Sequence, residues 1–254
     1  MRLGVARADD GLVRLRREPE GIACIDMVDA AGSNGCSEAF VGALVAVLDE
    51  VAADSGIKVA ILSGTAEVFS SGATREVLEQ LTEGRLAPTE LVLGRRLMAL
   101  PVPVVAAAEG HAVGGGFALM LSADMVVIAR ESRYGANFMT LGITPGMGTT
   151  RLLEAVLSPA LAHELLYTGE LRRGASFAGV SGFNAIVPRR EVRARAFDIA
   201  QRVAENRRDS IVLLKRALTL PRRRVFEEAQ TLESLMHEVS LPNLDPESFI
   251  GGSG

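Results

Sequence analysis

The sequence predicts an α/β fold followed by a helical appendage. Three observations carry this. Short apolar strands alternate with amphipathic helices over the first part of the chain, only helical patterns follow from residue 149, and 254 residues with 48% hydrophobic content suffice for one large core.

The elements follow in order. Segment 21–29 (GIACIDMVD) alternates apolar and polar residues, the pattern of a strand. A polar, glycine-containing loop, 30–37, comes next, and Phe40, Leu44, Val47, Leu48 and Val51 then share one helical face. KVAILS (58–63) reads as a short buried strand running into SGTAEVFSSGA. Helices are expected over 74–83 and 89–99, separated by Pro88. Pro101 and Pro103 open the strand VVAAAEG; HAVGGG and the short helix FALMLSA lead to another strand, DMVVIA. The glycine-rich segment 134–148 (YGANFMTLGITPGMG) predicts strand and shaped loop. Pro188 sets up a helix over 189–206, and Ser210 has the chemistry of an N-cap for 211–219. In the last helix Val225, Ala229, Leu232, Met236 and Val239 form an apolar stripe, and the tail LPNLDPESFIGGSG carries no periodicity. No fixed-period repeat is present.

Composition excludes several classes. The 27 Lys+Arg against 31 Asp+Glu give −4, so no global basic field recruits nucleic acid. Cys24 and Cys36 make neither a disulfide scaffold nor a metal-ligand spacing. The charged N-terminus lacks an apolar signal segment, and the most apolar stretch, 100–129, is broken by two prolines, Glu109, His111, Asp124 and a run of glycines. A soluble, cytoplasmic protein with no membrane or nucleic-acid partner is the expectation. The G-x-S-x-G elbow, the phosphate-binding G-x-x-x-x-G-K-[ST] and the H-E-x-x-H helix are absent, and Leu119 stands where G-x-G-x-x-G would need its last glycine.

Two glycine-marked turns remain, F-S-S-G-A (69–73) and the run Gly114-Gly115-Gly116. A helix N-terminus leaves backbone N–H groups free and carries partial positive charge, and glycine lets a substrate oxygen come close. Two such groups aimed at one point would form an oxyanion hole. Each motif alone is equally well read as a tight turn. Together with P-V-P-V-V-A-A-A-E-G-H-A-V-G-G-G-F and Y-G-A-N-F-M-T-L-G-I-T-P-G-M-G, they resemble the crotonase (enoyl-CoA hydratase/isomerase) superfamily over about residues 10–240. The resemblance implies a spiral of ββα units over 1–195, a C-terminal helical region over 196–254 for oligomerisation and active-site cover, and a homotrimer or dimer of trimers. It also implies that Ala73 and Gly115 donate the two N–H groups to a thioester oxygen.

The departures narrow the chemistry. The hydratases of this family place one glutamate where Ala118 stands and a second where Phe138 stands. Water addition needs one group to activate water and another to protonate carbon, and neither Ala nor Phe does so. An apolar pocket disfavours a carboxylate and favours its loss as CO2 when the carbanion is delocalised. The motifs Y-G-A-N-F-M-x-x-G-I-T-P-G-M-G, E-G-H-A-V-G-G-G-F and the late M-H-E further resemble the decarboxylases of polyketide β-branching cassettes. That resemblance implies conversion of a 3-methylglutaconyl thioester to a 3-methylcrotonyl thioester. It implies an acyl carrier protein as partner, the acyl group riding on its phosphopantetheine or on CoA, and no metal or redox cofactor.

His237, in Met236-His237-Glu238, lies about 120° from the apolar stripe at roughly 100° per residue. It is either a surface histidine or, as the resemblance implies, the acid that protonates the dienolate. Arg75 is either a solvated cation at a helix start or a bidentate holder of the departing carboxylate. Tyr134 and Asn137 either hydrogen-bond substrate or pack, and Phe138 is expected in the pocket wall. The basic run Arg222-Arg223-Arg224 is a solvated face or a docking site for an acidic carrier protein.

Overall fold

The computed structural model describes residues 11–86 and 93–241. The predicted tail and the start of the predicted 89–99 helix lie outside these residues. Two sheets are built in alternation. In the larger, β1 (Val13–Glu18) pairs antiparallel with β2 (Ile22–Met27), and β2, β3 (Val59–Ser63), β5 (Val104–Ala108), β7 (Met125–Ala129) and β10 (Ala185–Val187) run parallel in that order. In the smaller, β4 (Val68–Ser70), β6 (His111–Val113) and β8 (Arg133–Gly135) are parallel, and β9 (Arg172–Arg173) closes the row antiparallel.

The chain alternates between the sheets: β3 to β4, β5 to β6, β7 to β8. Each pair then leads to helix. The first turn adds α2 (Arg75–Thr82) and α3 (Leu93–Ala99), the second α4 (Gly115–Leu121), and the third α5 (Thr149–Val156) and α6 (Pro159–Thr168). These are the expected ββα units. Their unequal helical insertions explain why no fixed period shows in the sequence.

β2 shows why the predicted alternation is real yet its whole length is buried. Ala23, Ile25 and Met27 enter the main core with α1 (Glu38–Ala53). Ile22 and Cys24 face a second core against α7 (Val192–Ala204). Asp26 lies on that side too, held by Ser63, Arg16 and Arg193. With helices on both faces, a parallel strand has no solvent side. α1 starts where Ser37 accepts from the Phe40 amide, a cap contributing about 1 kcal/mol. α7 runs continuously across residue 195.

β1 escaped the sequence reading because Arg14, Arg16 and Arg17 crowd it. An edge strand tolerates such charge, and only Val13 of its six residues is fully buried.

The largest departure is α8 (Arg208–Ser240), one helix of 33 residues where two were expected. Ser210 therefore sits inside it rather than capping it. Pro221 removes an internal hydrogen bond, at a cost of about 3 kcal/mol in a free helix. Tertiary ties on both sides hold the helix through it. Lys215 Nζ donates to both Asp124 oxygens at 2.7 and 2.6 Å, and Arg222 donates to the Leu121 and Ala123 carbonyls at the end of α4. Arg222 is thus a structural cap, not the free docking cation the sequence suggested. The predicted apolar stripe holds only in part: Ala229 is buried and Val225 and Met236 are half-buried, but Leu232 is 44% and Val239 71% exposed. The helix docks through a mixed face: Ile211, Phe226 and Ala229 are buried beside Lys215, Gln230, Glu233 and His237, and the polar members meet Asp124 and the open backbone of the 144–150 turn. No helix among the described residues is long and apolar enough to cross a membrane.

Candidate active site

The smaller sheet sets the geometry. Its parallel register aligns Ser70 with Ala112, and Ala112 with Tyr134. Three residues past each of these come Ala73, Gly115 and Asn137. Three successive turns of the spiral therefore deliver three residues to one sheet end, the carboxyl end where open α/β sheets bind ligands.

Ala73 and Gly115 are brought together. Gly72 has φ +82°, and a Cβ there would lie 2.8 Å from the Gly115 nitrogen. Only glycine lets the two turns touch. A Cβ on Gly115 would in turn lie 3.6 Å from the Ala73 nitrogen. Neither amide donates to a backbone oxygen among the described residues. Ala73 precedes α2 by two residues and Gly115 opens α4, so both helix N-termini add positive potential.

The first turn is held from beneath by the 30–37 loop. Asn34, buried and at φ 49°, puts Nδ2 within reach of the Met27, Val68 and Phe69 carbonyls, and its own carbonyl accepts from Ser70 Oγ. Sequence reading passed over Asn34, since nothing distinguishes it from any other polar loop residue.

The two amides open on a cavity of about 70 Å³. Its walls include Leu78, Leu81, Phe138, Ile143, Met147 and Leu241, with Ser71, Asn137 and His237 as polar members. No carboxylate lines it among the described residues. Phe138 is thus in the wall as expected. Ala118 is buried in α4 and does not reach the cavity, its methyl being too short.

His237 is 7% exposed and lines the cavity, which settles the surface alternative against it. Its Nε2 lies 3.0 Å from the Thr144 carbonyl. A carbonyl only accepts, so the ring carries a proton on Nε2, while Nδ1 is buried with no partner among the described residues. Burial pushes the imidazole below its ordinary value, and the Thr144 bond opposes this.

Two expected site residues are elsewhere. Arg75 lies on the first turn of α2 with its side chain 63% exposed, bonded to Glu79 at 2.8 Å. It does not line the cavity. One helical turn from a carboxylate partner, it is a surface ion pair. Tyr134 is wholly buried; its hydroxyl donates to the Ala108 carbonyl and accepts from the Ala129 amide, lacing β5 to β7. Conversely, sequence reading missed Met147, Leu78 and Leu81. Met147 has φ +59°, the one non-glycine residue of the T-P-G-M-G turn in the left-handed region, and that strain has no signature in residue type. His111 accepts from the Arg133 amide through Nδ1 and is structural.

Comparison with known proteins agrees with this geometry. Residues 17–247 match the family model described as enoyl-CoA hydratase/isomerase. The chain belongs to that family. Bacillaene synthase decarboxylase PksI of Bacillus subtilis is 34% identical over 95% of this chain and 97% of its own length. A solved structure from a dehydratase/decarboxylase enzyme couple involved in polyketide β-branching has a TM-score of 0.89 at 34% identity, covering 96% of this chain and 99% of that one. The ECH2 decarboxylase domain of CurF from Lyngbya majuscula has a TM-score of 0.85 at 35% identity, covering 94% and 97%. These similarities place the chain with the decarboxylases of the crotonase superfamily, close to those of polyketide β-branching.

Proposed function

We propose that the protein decarboxylates a 3-methylglutaconyl-type thioester, carried on the phosphopantetheine of an acyl carrier protein, to a 3-methylcrotonyl-type thioester. The observation that carries this reading is that, among the described residues, the Ala73 and Gly115 amides are unengaged and face a cavity without carboxylates.

The step balances as follows. The bond between the γ-carbon and the carboxylate breaks, and CO2 leaves. Its electron pair passes through the α,β double bond to the thioester oxygen, forming a dienolate. The two amides stabilise that oxygen, at about 2.7–4 kcal/mol for each donor. The apolar walls leave the substrate carboxylate poorly solvated while the neutral product is unaffected. A proton then reaches the γ-carbon. His237 is the one titratable side chain lining the cavity among the described residues, and its protonated form is the assigned acid. The thioester is itself the electron sink, so the reaction calls for no metal or redox group.

The outer face of α8 supports assembly as a homotrimer or dimer of trimers. Leu213, Leu214 and Leu218 are each at least 60% exposed there, a row that a second copy would cover. Light scattering on the purified protein reads the copy number.

The reaction is tested with two substrates. The carrier-bound 3-methylglutaconyl thioester is expected to lose CO2 and yield the 3-methylcrotonyl product by mass spectrometry, while a crotonyl thioester stays unhydrated. Hydration of the second without decarboxylation of the first overturns the reading.

A further inference from the structure

Glu233 lies on α8 one turn before His237 and is 2% exposed. Among the described residues it has no cationic partner within ion-pair distance. Its carboxylate is turned wholly to backbone and hydroxyl donors across the fold. Oε2 accepts from the Gly148 amide at 2.7 Å, and Oε1 accepts from the Thr150 amide at 3.0 Å and the Thr150 hydroxyl at 2.8 Å.

This is the N-cap of α5, supplied from another helix. The natural cap position is Gly148, which has no side chain to offer. It is at φ +78°, and a Cβ there would lie 2.3 Å from Phe226 Cδ2, so a Ser or Asp would not fit. The turn has lost its local cap and takes one from the helix that carries His237. Met147, next to Gly148 and also left-handed, packs its sulfur where a Cβ on Gly115 would stand, at 2.7 Å.

Two further ties lie on the same face of α8. His237 donates to the Thr144 carbonyl, and Ser240 Oγ is 3.0 Å from Thr144 Oγ1. Positions 233, 237 and 240 are spaced i, i+4, i+7, one stripe of a helix. The stripe latches the 144–150 turn, and that turn contributes Gly146 and Met147 to the cavity wall.

We propose that Glu233 is a positioning residue for the reaction: its carboxylate clamps the 146–150 turn to α8 and so sets where His237 and Met147 stand over the Ala73–Gly115 pair. This rests on the reading of His237 as the proton donor. A glutamine at 233 keeps the shape but presents an N–H group to one set of donors, so the latch loosens without an empty space.

The test is a double-substitution cycle with the carrier-bound 3-methylglutaconyl thioester. E233Q is expected to lower kcat about tenfold or more, since small displacements of a catalytic group carry large rate penalties, and to leave KM within about twofold. In a His237→Gln background the same change should have little further effect on kcat. Effects that simply multiply overturn the proposal. A second measurement stands apart from turnover. Nitrogen-15 NMR of the free protein should show a protected His237 Nε2–H, with that protection reduced in E233Q. Thr150→Val, a milder change, should move it the same way if E233Q does not fold. Unchanged His237 signals overturn the proposal. If the unaltered enzyme releases no CO2, the decarboxylase reading falls, and the NMR comparison alone decides the role of Glu233.

Discussion

The sheet core and α8 differ in how much polarity they bury. In β3, β5 and α4 every residue is buried, and all but Ser63 are apolar or glycine. α8 turns Lys215, Gln230, Glu233 and His237 inward beside Ile211, Phe226 and Ala229, and leaves Leu213, Leu214, Leu218 and Leu235 outward. The core is organised by removal of apolar surface from water, at roughly 25 cal/mol per Å². α8 adds to its buried Ile211, Phe226 and Ala229 charge-assisted and backbone hydrogen bonds to groups the spiral leaves open. The difference teaches that the two amides are placed by the backbone of the spiral with a few buried side-chain ties such as Asn34, whereas the acid needs a helix that turns polar groups inward at its C-terminal end.

The most severe way to break this comparison is at Lys215. Its side chain is 3% exposed against Asp124. Lys215→Met leaves that carboxylate unpaired, and a loss of about 3–5 kcal/mol in unfolding free energy is expected from chemical denaturation. Replacing both partners by apolar residues should restore most of it. A small effect of the single change would mean that the inner face of α8 is not held by its polar groups.

On the core side the sensitive point is a missing methyl. Gly72→Ala would place a Cβ against the Gly115 amide and force a left-handed backbone on alanine. The expected outcome is a fall of about 10²–10³ in kcat, as for loss of an oxyanion-hole donor, with substrate binding less affected. Near-normal turnover would show that the amide pair is not the reaction centre.

Acidity sharpens the comparison further. His237 is held below its ordinary value of 6.5, mainly by burial. The folded state therefore binds fewer protons than the unfolded state just below pH 6.5. Stability is complete above that value and falls as pH drops toward the lowered one. The wild type should lose more stability than His237→Gln over that interval, with His111 contributing in the same direction in both. Catalysis should run the other way: kcat/KM should decline as pH rises through a pKa below 6.5, since the acid must be protonated in the free enzyme. Identical stability profiles for the two proteins would contradict the burial of His237.

The smallest effect is expected at Arg75. Its i,i+4 pair with Glu79 is exposed, so Arg75→Ala should change stability by about 0.3–0.5 kcal/mol and leave turnover within about twofold. A large loss of decarboxylation would restore the carboxylate-holding role expected from sequence.

Local sequence determined the strand and helix alternation, the two glycine turns and the absence of the usual glutamates. These are legible because period, glycine and residue identity act over a few neighbours. The two glycine turns and Asn137 were found that way; it was the resemblance of the motifs to the crotonase superfamily that singled out Ala73, Gly115, Phe138 and His237. The tertiary structure alone decided three things. It put His237 inside, because the direction an amphipathic helix faces depends on what it meets, and α8 meets open backbone. It moved Arg75 and Tyr134 out of the site, because a nearby carboxylate and two buried backbone groups claimed them. It also coupled Glu233 to a helix cap 85 residues away, a relation that no local pattern can encode.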